Sequence, residues 1–109
     1  MTLKRKHRTL KQVKEMAGFI KNTFNAKNVI LFGSYAYGNP NEHSDVDIMV
    51  IVNTKQKNHI KAGEIKIALN HKFGFPFPVD LLVRSPKEVE NTYKTNSFLS
   101  EVMSMGKNL

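Results

Sequence analysis

Asp45-Val46-Asp47-Ile48-Met49-Val50-Ile51-Val52 is the stretch whose reading decides the fold. It is the longest apolar run in the chain, rich in β-branched residues and bounded by Ser44 on one side and polar residues 53–59 on the other, which predicts a buried strand. Side chains alternate along a strand, so Asp45 and Asp47 share one face. Val46, Ile48, Val50 and Val52 occupy the other, which is the expected core side. Aspartate is depleted in strands, so two of them here need a reason.

Working outward, Gly33 to Ser44 holds two Gly, two Asn, two Ser and a Pro, a turn-forming segment. It is preceded by Asn28 to Phe32, a short apolar run read as a second strand. Before that, Leu10, Val13, Met16, Ala17, Ile20 and Phe24 recur at helical spacing, predicting a helix from Thr9 toward Asn25. Residues 1–8 show no such period and read as a basic, flexible tail on a single domain spanning 9–109.

On the C-terminal side, a helix is expected over roughly Asn58 to Phe73, with Ile60, Ile67, Ala68 and Leu69 inward and Gly74 as its stop. Pro76 and Pro78 force an extended entry into Val79 to Val83, a third strand carrying Asp80. Ser85-Pro86-Lys87-Glu88 is a capping box with proline at the first helical position. Phe98, Leu99, Val102, Met103 and Met105 predict a last helix closed by Gly106. The resulting fold class is α/β, in the α+β sense: a small mixed sheet of three to four strands flanked by helices.

Composition bounds what such a chain does. At 109 residues it makes one domain, and with no cysteine it has neither disulfides nor thiolate metal sites. No apolar run approaches the ~20 residues of a membrane span, so a soluble, cytoplasmic protein is expected. The net charge of +8 is unevenly placed: residues 1–27 hold eight Lys or Arg against one acid. That basic quarter reads as a solvated helix face, or as a surface for nucleic acid or an acidic partner. His7, His43, His59 and His71 form no metal-binding spacing and read as surface residues.

The acids carry more information. Asp45, Asp47 and Asp80 are the only aspartates in the chain. If their strands are neighbours, three carboxylates converge and repel, which calls for a cation. All-oxygen ligation favours Mg²⁺, with Mn²⁺ as substitute. Two such ions would clamp the attacking and leaving oxygens of a phosphoryl transfer. Asp45 alone reads equally as a turn residue after His43-Ser44.

Gly33-Ser34 follows a strand directly, where glycine lets backbone approach a phosphate and serine adds a hydroxyl donor. A Walker loop is excluded, because Asn39-Pro40 stands where Lys-Ser/Thr is required, and no G-x-G-x-x-G occurs. Tyr35 and Tyr37, beside this turn, are candidates for nucleotide contact or loop packing. Phe73, Phe75 and Phe77 read as a plug at the sheet end, and Met103 and Met105 as core or as a contact surface.

Gly33-Ser34-Tyr35-Ala36-Tyr37-Gly38, Ser44-Asp45-Val46-Asp47-Ile48 and Pro78-Val79-Asp80-Leu81-Leu82 together resemble the DNA polymerase β-like nucleotidyltransferase superfamily, and within it the minimal nucleotidyltransferases (MNT domains) of prokaryotes. The resemblance implies that Gly33 and Ser34 hold the triphosphate of a nucleotide, ATP by preference. It implies that Asp45 and Asp47 bridge two Mg²⁺ ions, and that Asp80 ligates the catalytic ion and helps deprotonate an acceptor hydroxyl. It further implies a small helical HEPN-type toxin as partner, AMP transfer to a tyrosine of that toxin and an antitoxin role, with a homo- or hetero-oligomer both open. The alternative is an antitoxin that neutralises its partner by binding alone. One position departs from the family pattern: Tyr37 stands where many members have arginine, leaving open whether a residue such as Arg84 supplies the guanidinium.

Overall fold

A computed structural model describes residues 1–74 and 76–109. The central run forms strand β2 (Val46–Ile51), with Asp45 just ahead of it. It pairs antiparallel with β1 (Asn28–Phe32) and parallel with β3 (Val79–Arg84). A two-residue strand, β4 (Lys107–Asn108), adds antiparallel to the far edge of β1, giving the order β3-β2-β1-β4. The expected mixed sheet of the α+β class is therefore present, with four strands.

Among the described residues, five helices flank it. Helix α1 (Leu3–Phe24) and α3 (Asn58–Phe73) pack on the sheet face formed by Val29, Leu31, Val46, Ile48, Val50, Leu81 and Val83. Helix α2 (Ser34–Tyr37) is one turn at the end of β1. Helices α4 (Pro86–Thr92) and α5 (Ser97–Met105) cover part of the opposite face, where Ile30, Phe32, Met49 and Ile51 meet Val89, Leu99 and Val102.

The sheet is thus buried on both faces. A run such as Ile48-Met49-Val50-Ile51, apolar without alternation, is what a doubly covered strand requires. Only the end of the second face, where Asp47 and Asp80 stand, lies beyond α5's buried residues.

Several expectations need correction. The first helix starts at Leu3 rather than at Thr9, with the Thr2 side chain accepting from the Arg5 amide at 3.2 Å. Residues 3–8 are therefore helical: Lys and Arg are good helix formers and need no apolar period when they face solvent. In α3, Ile65 and Leu69 are the buried positions, while Ile60 and Ile67 face outward. Met103 and Met105 are exposed, so α5 anchors through Leu99 and Val102. Phe73 is half-buried and meets Phe19 edge to face, and Phe77 is half-buried against the same core; Phe75 lies outside the described residues.

The capping box forms as expected. Ser85 Oγ accepts from the Glu88 amide and Glu88 Oε1 from the Ser85 amide, each at 3.1 Å. Glu88 also accepts from Asn58 Nδ2 at 3.0 Å, tying α4 to the start of α3.

Candidate active site

The strand register builds the site. In the parallel pair β2–β3, Asp47 lies directly opposite Asp80; in the antiparallel pair β1–β2, it lies opposite Phe32. Phe32, Asp47 and Asp80 therefore form a row across three strands on one sheet face, at spacings of about 4.8 Å. The row is held by the start of the parallel ladder, where the Val46 amide donates to the Pro78 carbonyl at 2.9 Å. Asp45 stands at the mouth of β2, exposed like Asp80, whereas Asp47 is half-buried.

Asp45 follows a turn within the Gly33–Ser44 segment, as its composition predicts. Ser44 Oγ accepts from the Asn41 amide, and Asn41 Oδ1 from the His43 amide, both at 2.8 Å. The Ser44 amide donates back to the Asn41 carbonyl at 3.1 Å. Asn-x-x-Ser ahead of a strand was the available signal, since Asn and Ser stabilise such turns through their own side chains. His43 is exposed in this turn, in keeping with a surface role.

Gly33 closes the other side. Its φ of +71° and ψ of −154° lie in a region essentially restricted to glycine. A Cβ there would stand 2.1 Å from Asp47 Oδ2, so the turn and the carboxylate are packed backbone to side chain. The Gly33 carbonyl accepts from the amides of Ala36 and Tyr37 at 3.0 and 3.1 Å, winding α2. Gly38 completes the turn, because a side chain there would meet the Ser34 Cα at 2.9 Å. Ser34 is thereby fixed, half-buried, beside the carboxylate row.

The two tyrosines separate. Tyr35 is buried in the main core with its hydroxyl 3.7 Å from the Met1 sulfur, so it packs the loop. Tyr37 is 36% exposed at the end of α2. Arg84 does not approach this loop: it lies four residues beyond Asp80 along β3, about 13 Å away, and its guanidinium donates to the Val83 carbonyl at 2.7 Å. Arg5 and Arg8 of α1 line a groove with Tyr35, Ser44 and Phe77. Arg5 also reaches Glu42 at 4.0 Å, an exposed pair of little energetic weight.

Electrostatics mark Asp47 as the centre. Burial, then the Asp80 carboxylate, then that of Asp45, push its carboxyl above the usual carboxylate range. Each of these raises the cost of negative charge at one point, which is the condition a divalent cation relieves. Among the described residues, the side chains as placed form no closed cage of three His, Cys, Asp or Glu ligands. The donor set, hard oxygens on adjacent strands beside a glycine turn, fits Mg²⁺ or Mn²⁺.

A mixed sheet flanked by helices, with three carboxylates and a Gly-Ser turn at one end, is consistent with the nucleotidyltransferase fold. The chain belongs to the nucleotidyltransferase domain family, whose sequence model matches residues 9–103. It is 41% identical over 78 residues to a protein of Methanocaldococcus jannaschii named "Putative protein adenylyltransferase MJ0141", a match covering 72% of this chain and 73% of that protein. A second protein of that organism, carrying the same descriptive name with the designation MJ1379, is 43% identical over 47 residues. That match spans 39% of this chain and 47% of the relative. Among the described residues no helix is long and apolar enough to cross a membrane.

Proposed function

We propose that the protein transfers AMP from ATP to a protein hydroxyl, a tyrosine of a helical HEPN-type partner, and so acts as an antitoxin. The observation that carries this reading is the register pairing of Asp47 with Asp80 beside the Gly33-Ser34 turn. The names of the two archaeal relatives support protein as the acceptor class.

Each residue has a role in this reading. The Ser34 hydroxyl and the backbone of the glycine turn hold the β- and γ-phosphates. Asp45, Asp47 and Asp80 would hold the Mg²⁺ ions, which when bound would supply charge neutralisation for the attacking and leaving oxygens. Asp80, exposed at the open end of the row, orients the acceptor hydroxyl and accepts its proton. The acceptor oxygen forms a bond to the α-phosphorus, the bond to the bridging oxygen of the β-phosphate breaks, and pyrophosphate leaves. The products are a phosphodiester-linked AMP on the acceptor and pyrophosphate.

The test is incubation with α-labelled ATP, Mg²⁺ and the product of the adjacent gene. Label on the partner that is lost with Asp80→Asn supports transfer. Unlabelled partner that is nonetheless neutralised equally by wild type and Asp80→Asn shows that neutralisation is by occlusion, and the enzymatic reading fails.

A further inference from the structure

At the end of α5 nearest the aspartates, an aromatic ring stands open to solvent. Phe98 meets Phe32 edge to face, with ring centroids 5.6 Å apart and planes at 82°. Phe32 is the residue opposite Asp47 in the strand register, so Phe98 packs on the ring that continues the row of Asp80 and Asp47. Phe98 remains 38% exposed although Leu99, its neighbour, is almost fully buried.

The ring is presented rigidly. Asn96 Oδ1 accepts from the Leu99 amide at 3.1 Å, fixing the first turn of α5. Leu99 and Val102 then lock the helix to Ile30, Phe32 and Met49. Phe98 thus lies on a short, capped helix turn backed by a core aromatic.

We infer that Phe98 is the stacking platform for the base of the bound nucleotide, an inference that rests on the nucleotide-transfer reading above. A phosphate chain anchored at Ser34, Asp45 and Asp47 leaves its ribose and base to reach the first turn of α5, where Phe98 is exposed while Phe32 beneath it is buried. The direction away from the charged Asp80 runs over Phe32 to Phe98, about one to two strand spacings or ~5–10 Å, a separation that a ribose bridges. A flat neutral ring tethered to phosphate suits an aromatic face bordered by carboxylates, where another anion would be repelled. Phe98 carries no hydrogen-bonding group, so it adds affinity for any base without selecting among them.

Binding of MgATP and of magnesium tripolyphosphate, which has the same phosphates and no base, separates the contributions. In Phe98→Ala and Phe98→Leu, affinity for MgATP and MgGTP falls by about tenfold while affinity for tripolyphosphate is unchanged. Phe98→Trp binds ATP at least as well as wild type. Phe98→Leu keeps an apolar contact with Phe32, so its result stands if the alanine variant does not fold. Equal losses for ATP and tripolyphosphate would make Phe98 a packing residue and overturn the proposal. So would unchanged ATP affinity with a raised KM for the protein acceptor, which would assign the ring to the partner. A wild type that binds tripolyphosphate as tightly as ATP overturns the stacking role alone; one that binds neither overturns the nucleotide site with it.

Discussion

Gly33 and Asp47 touch across the β1–β2 pair so closely that a single methyl group on Gly33 would lie 2.1 Å from the Asp47 Oδ2. The phosphate turn and the central carboxylate are therefore one packed unit, set by the absence of a side chain at one position.

Gly33→Ala should accordingly fail twice. The φ of +71° with ψ near −154° costs a non-glycine residue about 1–3 kcal/mol, and the methyl displaces the Asp47 carboxylate. Urea unfolding should show a loss of that size, and transfer activity should be abolished. An alanine variant with wild-type stability and activity would refute the packed arrangement of turn and carboxylate.

Asp47 itself is held in an environment hostile to its charge, and this gives a stability prediction with a definite sign. Its folded-state proton affinity is raised above the ordinary 3.8 by burial and by the Asp80 and Asp45 carboxylates. Between 3.8 and that raised value the folded protein binds more protons than the unfolded chain, so stability falls as pH rises through the window. Above the window the whole penalty is present. Asp47→Asn removes it, and in the presence of a chelator the variant should melt a few degrees above wild type at pH 7. That advantage should shrink as pH falls toward 3.8 and both proteins carry a neutral group. The variant should also be inactive, so that greater stability accompanies lost function. A variant less stable than wild type at every pH would show the carboxylate to be a structural requirement instead.

Much of this site was legible because each aspartate sits in or beside a run that cannot be anything but strand. Asp47 inside Val46-Ile48 and Asp80 between Val79 and Leu81 fix side-chain parity, and parity fixes the face. Their direct pairing was not legible, since register depends on how two distant segments meet, here through the Val46 amide and the Pro78 carbonyl. The early start of α1 was hidden because Lys4, Arg5 and Lys6 face solvent and leave no apolar period to read. Strand β4 was hidden because two residues carry no alternation. It forms because Gly106, where a Cβ would meet the Val102 carbonyl oxygen at 2.5 Å and Ile30 Cγ2 at 2.6 Å, lets the chain turn tightly onto β1. The second buried face was the largest omission: only Val46, Ile48, Val50 and Val52 were expected on a core side, yet α4 and α5 cover Met49 and Ile51 on the other.

The link between α3 and α4 rests on one carboxylate doing two jobs. Glu88 Oε1 accepts from the Ser85 amide and from Asn58 Nδ2. Ser85→Ala removes the cap alone and should cost about 1 kcal/mol. Glu88→Ala removes the reciprocal bond and leaves Asn58 without its partner, and should cost more. Neither residue lies near Asp47, so transfer rates below the melting transition should match wild type in both. Denaturant midpoints ranked wild type, Ser85→Ala, Glu88→Ala would agree with this; the reverse order would show the interhelix bond to be energetically idle.

Tyr37 offers a gain-of-function test. It ends the one-turn helix that begins at Ser34, it is 36% exposed, and Arg84 is about 13 Å along β3 from Asp80. Arginine at position 37 would give a phosphate chain held by Ser34 a bidentate partner on the turn itself. Tyr37→Arg should leave the fold intact, since an exposed helix-end position accepts arginine within about 0.5 kcal/mol. It should tighten MgATP and magnesium tripolyphosphate alike, by about tenfold for one charge-assisted hydrogen bond. Equal gains for the two ligands place the new group on the phosphates. A gain for ATP alone would place it on the base or ribose, and no gain for either would mean that the side chain at position 37 points away from the triphosphate.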